Sequence, residues 1–358
     1  HNNTIPMALQ RLFLNRLHSS KKATCAFAAL IHLSSVGYCT PLSSQTRGWS
    51  SISYSNQGIA ATVPTSPSQL ADTNLFSRRQ RDVRSNTFRE MSSGSSDSSC
   101  AAFSVAQVPC LDDNYGYIVH DEATGHTAVV DTPDFGAYDR ELKKRGWKLT
   151  HILNTHHHWD HTGANLELKK EGVTVYGPVV EKDKIPGIDV AVGGGDRVPF
   201  GNSYADIIDV GGHTKGHIAY HFADKEVVFV GDALFSLGCG KMFEGTPTQF
   251  WKSLKNLRSL PDETTVYCAH EYTAGNAKFA KSVEPGNAEL MARIDEIMDK
   301  RSRGEPTVPS NLGQEKRTNP FLRVDVSEEI RRNVGAVPGD SDSDVFGKVR
   351  MAKDTFRG

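Results

Sequence analysis

Long apolar runs are missing from this chain. The stretch Ala26 to Leu33 is too short to cross a bilayer, though it has the character of a signal-peptide hydrophobic region. No membrane partner is expected. A surplus of positive charge is missing too. The 41 lysines and arginines face 42 aspartates and glutamates, a formal net charge of −1, so nothing marks a nucleic-acid binder. Cysteine is sparse and unpatterned. Cys25, Cys39, Cys100, Cys110, Cys239 and Cys268 show neither paired spacing nor a CxxC motif. That argues against a disulfide scaffold and for a reduced, intracellular folded part.

Acidic residues are absent before Asp72, where Arg11, Arg16, Lys21, Lys22 and Arg47 stand among abundant serine and threonine. Leu9, Leu12, Phe13 and Leu17 interleave with the first two arginines and can form an amphipathic helix. Residues 1–100 are therefore expected to be a transit peptide or a disordered extension. The corresponding address is the mitochondrion or another organelle matrix, with the cytoplasm as the alternative. Met7 and Met91 are both possible starts, and Met91 to Ser96 reads as a linker or an alternative N-terminus.

Histidine, by contrast, is concentrated. In Thr155-His156-His157-His158-Trp159-Asp160-His161, four potential metal ligands (His156, His158, Asp160 and His161) fall within six residues. Imidazole nitrogen and carboxylate oxygen suit zinc, iron or manganese. The apolar, β-branched segment before the run predicts a strand over residues 148–154. The segment from Gly163 to Glu171 predicts a short helix closed by Gly172. Three further candidates lie just past predicted strand ends or in a glycine-rich turn: His213, Asp232 and His270. Together these are five imidazoles and two carboxylates. One catalytic ion takes about three protein ligands plus water. Seven suit two divalent ions sharing a bridging carboxylate, a known device for hydrolysis. His151, His217 and His221 are expected to be structural, His157 to point away, and Asp131 to be structural as well.

Predicted strands alternate with helices from Phe103 to Cys268, which predicts an α/β (α+β) class with helices packed outside sheet. Asn287 to Arg303 and Ser343 to Phe356 carry apolar residues at helical spacing, with Asn287 as a cap. The expected organisation is an N-terminal extension over 1–100, a catalytic domain over 103–274 and a helical domain over 275–358.

These residues resemble the metallo-β-lactamase superfamily and, within it, glyoxalase II, the hydroxyacylglutathione hydrolases. The likeness continues in Asp113-Asn114-Tyr115, in Gly238-Cys239-Gly240-Lys241, in Cys268 to Thr273 and in Arg350 to Asp354. It implies a four-layer αββα sandwich with a C-terminal helical domain. It also implies His156, His158 and His213 on one metal, Asp160, His161 and His270 on the other, and Asp232 bridging. Asp160 and Asp232 would be the catalytic carboxylates. Lys241, Phe243, Tyr272, Arg350 and Lys353 would meet the glutathione moiety. The family commonly has tyrosine where Phe243 stands, so one donor worth roughly 0.5–1.5 kcal/mol is absent.

The implied cofactor is a pair of divalent ions, zinc first, with iron or manganese as alternatives. The implied partner is a small glutathione thioester, S-D-lactoylglutathione, handled by a monomer. The expected chemistry is attack on the thioester carbonyl by a metal-bridging hydroxide, the second step of methylglyoxal detoxification. Truncation before Arg350 is then expected to raise KM far more than it lowers kcat. Two rivals differ in kind. A glutathione-linked persulfide dioxygenase of the same superfamily needs one iron and fewer ligands. A non-catalytic metal scaffold would favour a closed site.

Overall fold

The computed structural model describes residues 103–358, so the expected transit peptide and linker lie outside the described residues. The first sheet runs in spatial order β1 (Phe103–Cys110), β2 (Asn114–Asp121), β3 (His126–Val130), β4 (His151–Leu153), β5 (Thr174–Pro178) and β6 (Val190–Val192). Its first three strands pair antiparallel, and β3 to β6 pair parallel. The second sheet contains β7 (Arg197–Phe200), β8 (Ser203–Asp209), β9 (Ile218–Phe222), β10 (Val227–Gly231), β13 (Thr265–Cys268) and β14 (Ser310–Asn311). Between β10 and β13 the chain forms a small hairpin, β11 (Leu234–Phe235) with β12 (Gly238–Cys239).

Residue alternation on β2 explains the layering. Tyr117 and Val119 point into a core shared with Phe200, Phe222 and Phe229 of the second sheet. Ile118 points the other way, into a core with Ala137, Tyr138 and Leu142. Those three belong to helix α1 (Phe135–Arg145), which Asp134 caps at its start and Gly146, at φ 69°, closes at its end. A strand buried on both faces carries an apolar run rather than an alternating one.

The outer layer of the second sheet is α4 (Pro247–Arg258), whose Phe250 meets Phe346 of the terminal helix α9 (Asp342–Thr355) at 5.5 Å. The result is the αββα sandwich with helices added at its C-terminal end. The helix expected from Gly163 is two separate turns, α2 (Trp159–Thr162) and α3 (Asn165–Leu168). The break falls where buried Asn165 bonds Thr132 and Asn154 instead of continuing a helix.

The tail begins with α5 (Thr273–Val283), followed by α6 (Ala288–Ser302), with Asn287 capping Leu290 N–H at 3.1 Å as expected. It then contributes β14 to the second sheet before α7 (Leu312–Thr318), α8 (Glu328–Asn333) and α9. The seam expected at 274/275 is thus crossed by sheet hydrogen bonds. Among the described residues no helix is long and apolar enough to cross a membrane.

Candidate metal centre and adjoining cleft

Four loops at one edge of the two sheets carry the predicted ligands. The β4 end delivers Thr155 to His161, the β8–β9 loop delivers His213, the β10 end delivers Asp232, and the β13 end delivers His270. Close approach of these loops depends on glycine. A Cβ on Gly231, where φ is 49°, would lie 2.4 Å from Thr155 Oγ1 and 2.9 Å from the His217 ring. A Cβ on Gly240 would lie 2.0 Å from the Asp232 carbonyl oxygen.

All seven predicted ligands converge. His158 Nδ1 lies 2.9 Å from His156 Nε2 and 3.0 Å from His213 Nε2. Asp160 Oδ2 lies 3.5 Å from both His161 Nε2 and His270 Nε2. Asp232 sits between the two groups. Its Oδ2 is 3.3 Å from His213 Nε2, and its Oδ1 is 3.5 Å from His161 Nε2 and 3.4 Å from His270 Nε2. Within each of the sets His156–His158–His213, His156–His161–Asp232 and Asp160–His161–His270, the ligand atoms lie within 4.8 Å of one another.

Two observations test whether this donor set fits cations. His161 Nε2 and Asp232 Oδ1 are buried without a hydrogen-bond partner among the described residues, a costly state unless something positive stands there. The local field also demands positive charge. Burial opposes protonation of His161, yet Asp232, Asp131 and Asp160 outweigh it and lift its pKa to about 9. Burial likewise opposes ionisation of Asp232, but His161, His270 and His213 hold its carboxyl below the usual range. In the other group, burial and neighbouring imidazoles keep His156, His158 and His213 neutral, the form that ligates. The residues fit two divalent cations.

The other nitrogens of four ligand rings are fixed from behind, which sets their tautomers. His213 Nδ1–H donates to Lys241 O at 2.7 Å. His270 Nδ1–H donates to Asp113 at 2.9 Å, and His161 Nδ1–H donates to Asp131 at 2.7 Å. His156 Nδ1 bonds Thr155 Oγ1 at 3.1 Å, and that hydroxyl donates to the same Asp131 oxygen at 2.9 Å. Asp131, expected to be merely structural, therefore orients one ligand from each group. We expect Asp131→Asn to weaken metal binding about 10–100-fold, the usual cost of losing such a partner. Metal content after dialysis against graded chelator checks it, and unchanged retention would contradict it.

Four other histidines of the described residues stand outside these ligand groups. His217 stacks on His156 at 4.5 Å and accepts Asp232 N–H at 3.1 Å. His157 turns away to Glu181 at 2.7 Å. His151 stacks on Tyr176, and His221 is buried within β9.

Beside the centre, Lys241, Tyr272, Arg350 and Lys353 line one cleft with Phe235 and Asn276. Tyr272 stacks on His270 at 4.6 Å, which links the cleft to the metal ligands. Phe243 lies elsewhere. It is 59% exposed and packs edgewise on His158 and His213, with the Lys241 ammonium 5.2 Å from its ring centre. Arg350 is buried and committed to the chain. It donates to Cys239 O at 2.8 Å and to Asp354 at 3.0 Å. The loop it grips carries Lys241, whose carbonyl holds His213. Truncation before Arg350 therefore removes a support of the metal centre, so kcat should fall along with the rise in KM, contrary to the expectation from sequence. Cys239, beside that loop, is no nucleophile: burial pushes its thiol up to about 11.

Such a sandwich, with its ligands on strand-end loops, agrees with a match of residues 111–270 to the metallo-β-lactamase superfamily. That is the class. Residues 271–356 match a second family, described as hydroxyacylglutathione hydrolase C-terminus. Similar proteins include the hydroxyacylglutathione hydrolase of Methylococcus capsulatus, 50% identical over 255 residues that cover 71% of this chain and 99% of that protein. Another is the hydroxyacylglutathione hydrolase of Erythrobacter litoralis, 49% identical over 253 residues, 70% of this chain and 99% of that protein. The chain belongs to the hydroxyacylglutathione hydrolase family.

Proposed function

We propose that this enzyme hydrolyses S-(2-hydroxyacyl)glutathione thioesters, S-D-lactoylglutathione among them, to glutathione and the 2-hydroxy acid. The observation that carries the reading is the pair of ligand groups joined at Asp232 beside a cleft bearing the ammonium groups of Lys241 and Lys353. His156, His158 and His213 would hold one divalent ion, and Asp160, His161 and His270 the other. When bound, such ions supply an acidic water and an electrophile for the carbonyl oxygen, with bound-water pKa falling to about 7.

The chain's own residues do the rest. Asp131, Asp113 and the Lys241 carbonyl keep the imidazoles aimed at the ions. Lys241 and Lys353 offer cations to the two carboxylates of glutathione. Burial and the neighbouring Arg350 charge lower the pKa of Lys353, and its Nζ donates to Gly275 O at 3.1 Å while keeping donors for a ligand. The leaving thiolate, with a conjugate-acid pKa near 8.5, departs without a proton donor. The site accordingly needs no general acid aimed at the leaving group.

Zinc is the proposed metal, because a histidine-rich set with two carboxylates suits it and nothing in the set demands redox chemistry. The complete second group argues against the single-ion dioxygenase reading. The basic, serine-rich front segment supports an organellar address, which subcellular fractionation decides.

The assay is thioester hydrolysis on S-D-lactoylglutathione together with elemental analysis of the same sample. Oxygen uptake on glutathione persulfide without thioester cleavage would overturn the reading. Within it, Lys241→Ala should raise KM about tenfold and leave kcat within a factor of about two, the loss of one partly exposed charge contact. Equal damage to both parameters would instead place Lys241 in support of His213.

A further inference from the structure

The Asp113-Asn114-Tyr115 turn reaches the metal centre from the first sheet, yet supplies no ligand. Its backbone is pinned to the end of β13. Tyr115 N–H donates to Ala269 O at 2.7 Å, and Glu271 N–H donates to Asp113 O at 3.0 Å, on either side of His270. Its side chains all serve the same half of the centre. Asp113 accepts His270 Nδ1–H at 2.9 Å. Asn114, 5% exposed, donates from Nδ2 to Asp160 Oδ2 at 3.2 Å and lies 3.4 Å from His270 Nε2. Tyr115 O–H donates to Glu271 at 3.1 Å, and Glu271 also accepts the Thr307 N–H at 2.8 Å and the Thr307 hydroxyl at 2.7 Å.

The opposite half has its own support. Glu181, 3% exposed, accepts His157 N–H at 3.0 Å and Gly216 N–H at 2.8 Å. It thereby joins the loop of His156 and His158 to the loop of His213. The two halves share the Thr155–His161 loop, Asp131 and Asp232, but their outer supports are separate.

We infer that the Asp113–Asn114 turn is the positioning element of the Asp160–His161–His270 half alone, and sets the affinity of that cation site independently of the other. The inference rests on the two-ion reading above. The physical reason is that a carboxylate rotates about its terminal torsion unless a donor fixes it, and an imidazole turns unless its far nitrogen is bonded. Asn114 does the first for Asp160, and Asp113 does the second for His270. The loss of one such partner costs about 10–100-fold in metal affinity.

The test is calorimetric titration of the metal-stripped full chain with zinc, beside Asn114→Leu and Asp113→Asn. Asn114→Leu keeps the branching at Cγ and removes the donor. The unsubstituted chain takes two ions. Each variant keeps one binding step at its original affinity and weakens the other about 10–100-fold. Circular dichroism establishes folding. If Asn114→Leu fails to fold, Asp113→Asn, at a side chain 46% exposed, still decides. Equal weakening of both steps, or no change in either, overturns the inference and leaves the two-ion reading intact. A single step in the unsubstituted chain overturns the reading itself.

Discussion

Asp232→Asn should lower kcat about a thousandfold, equivalent to about 4 kcal/mol of transition-state stabilisation, and should reduce the metal content to one ion or fewer. The Asp232 carboxylate oxygens face different ligand groups, Oδ2 toward His213 and Oδ1 toward His161 and His270. A carboxamide keeps the shape but offers one neutral oxygen and an NH2 group, which cannot serve two cations. The same substitution removes the negative charge that holds positive charge at His161. Backbone geometry should survive, because the His217 contact to Asp232 uses the main-chain N–H. Steady-state kinetics with elemental analysis on one preparation checks both parts. A variant that retains two ions and full turnover would remove Asp232 from its bridging place.

Glu315→Gln should destabilise the fold by about 3–5 kcal/mol, the usual cost of leaving a buried partner charge uncompensated. Glu315 is fully buried and ion-pairs with Arg293, itself 4% exposed. Glu315 also accepts Leu237 N–H at 3.0 Å and Asn319 Nδ2–H at 3.0 Å. Arg293 reaches Ser236 at 2.9 Å and Thr318 at 2.6 Å, and Asn319 donates to the carbonyls of Phe235 and Gly238. The helical tail thus grips the β11–β12 hairpin that follows Asp232 directly. Glutamine keeps one acceptor but leaves the guanidinium without its counter-charge. Denaturant unfolding at neutral pH measures the loss, and a change under about 1 kcal/mol would show that the network is not what holds the hairpin.

The ligands were legible in the sequence because each stands at a strand end or in a glycine-rich turn, and because four of them crowd into one loop. Their supports were not. Asp131 and His161 are thirty residues apart and meet only through the parallel pairing of β3 with β4. Glu181 sits in a 3-10 helix, Val179–Lys184, after β5, too short for a periodicity to mark it. Strands β6 to β8 escaped notice because β6 has three residues, Pro199 interrupts β7, and Asp206 and Asp209 break the apolar pattern of β8. Helix α5 was hidden by Gly275 and Asn276 in its first turn. The C-terminal cations were legible as a pair. The division of labour between them was not: burial commits Arg350 to the Cys239 loop and leaves Lys353 facing the cleft.

Anomalous diffraction from zinc-loaded crystals tests the central claim most directly. Two peaks are expected, roughly 3.5–4 Å apart as in other two-metal sites, one among His156, His158 and His213, the other among Asp160, His161 and His270, with Asp232 between them. A single peak, or two peaks without Asp232 between them, would contradict the account.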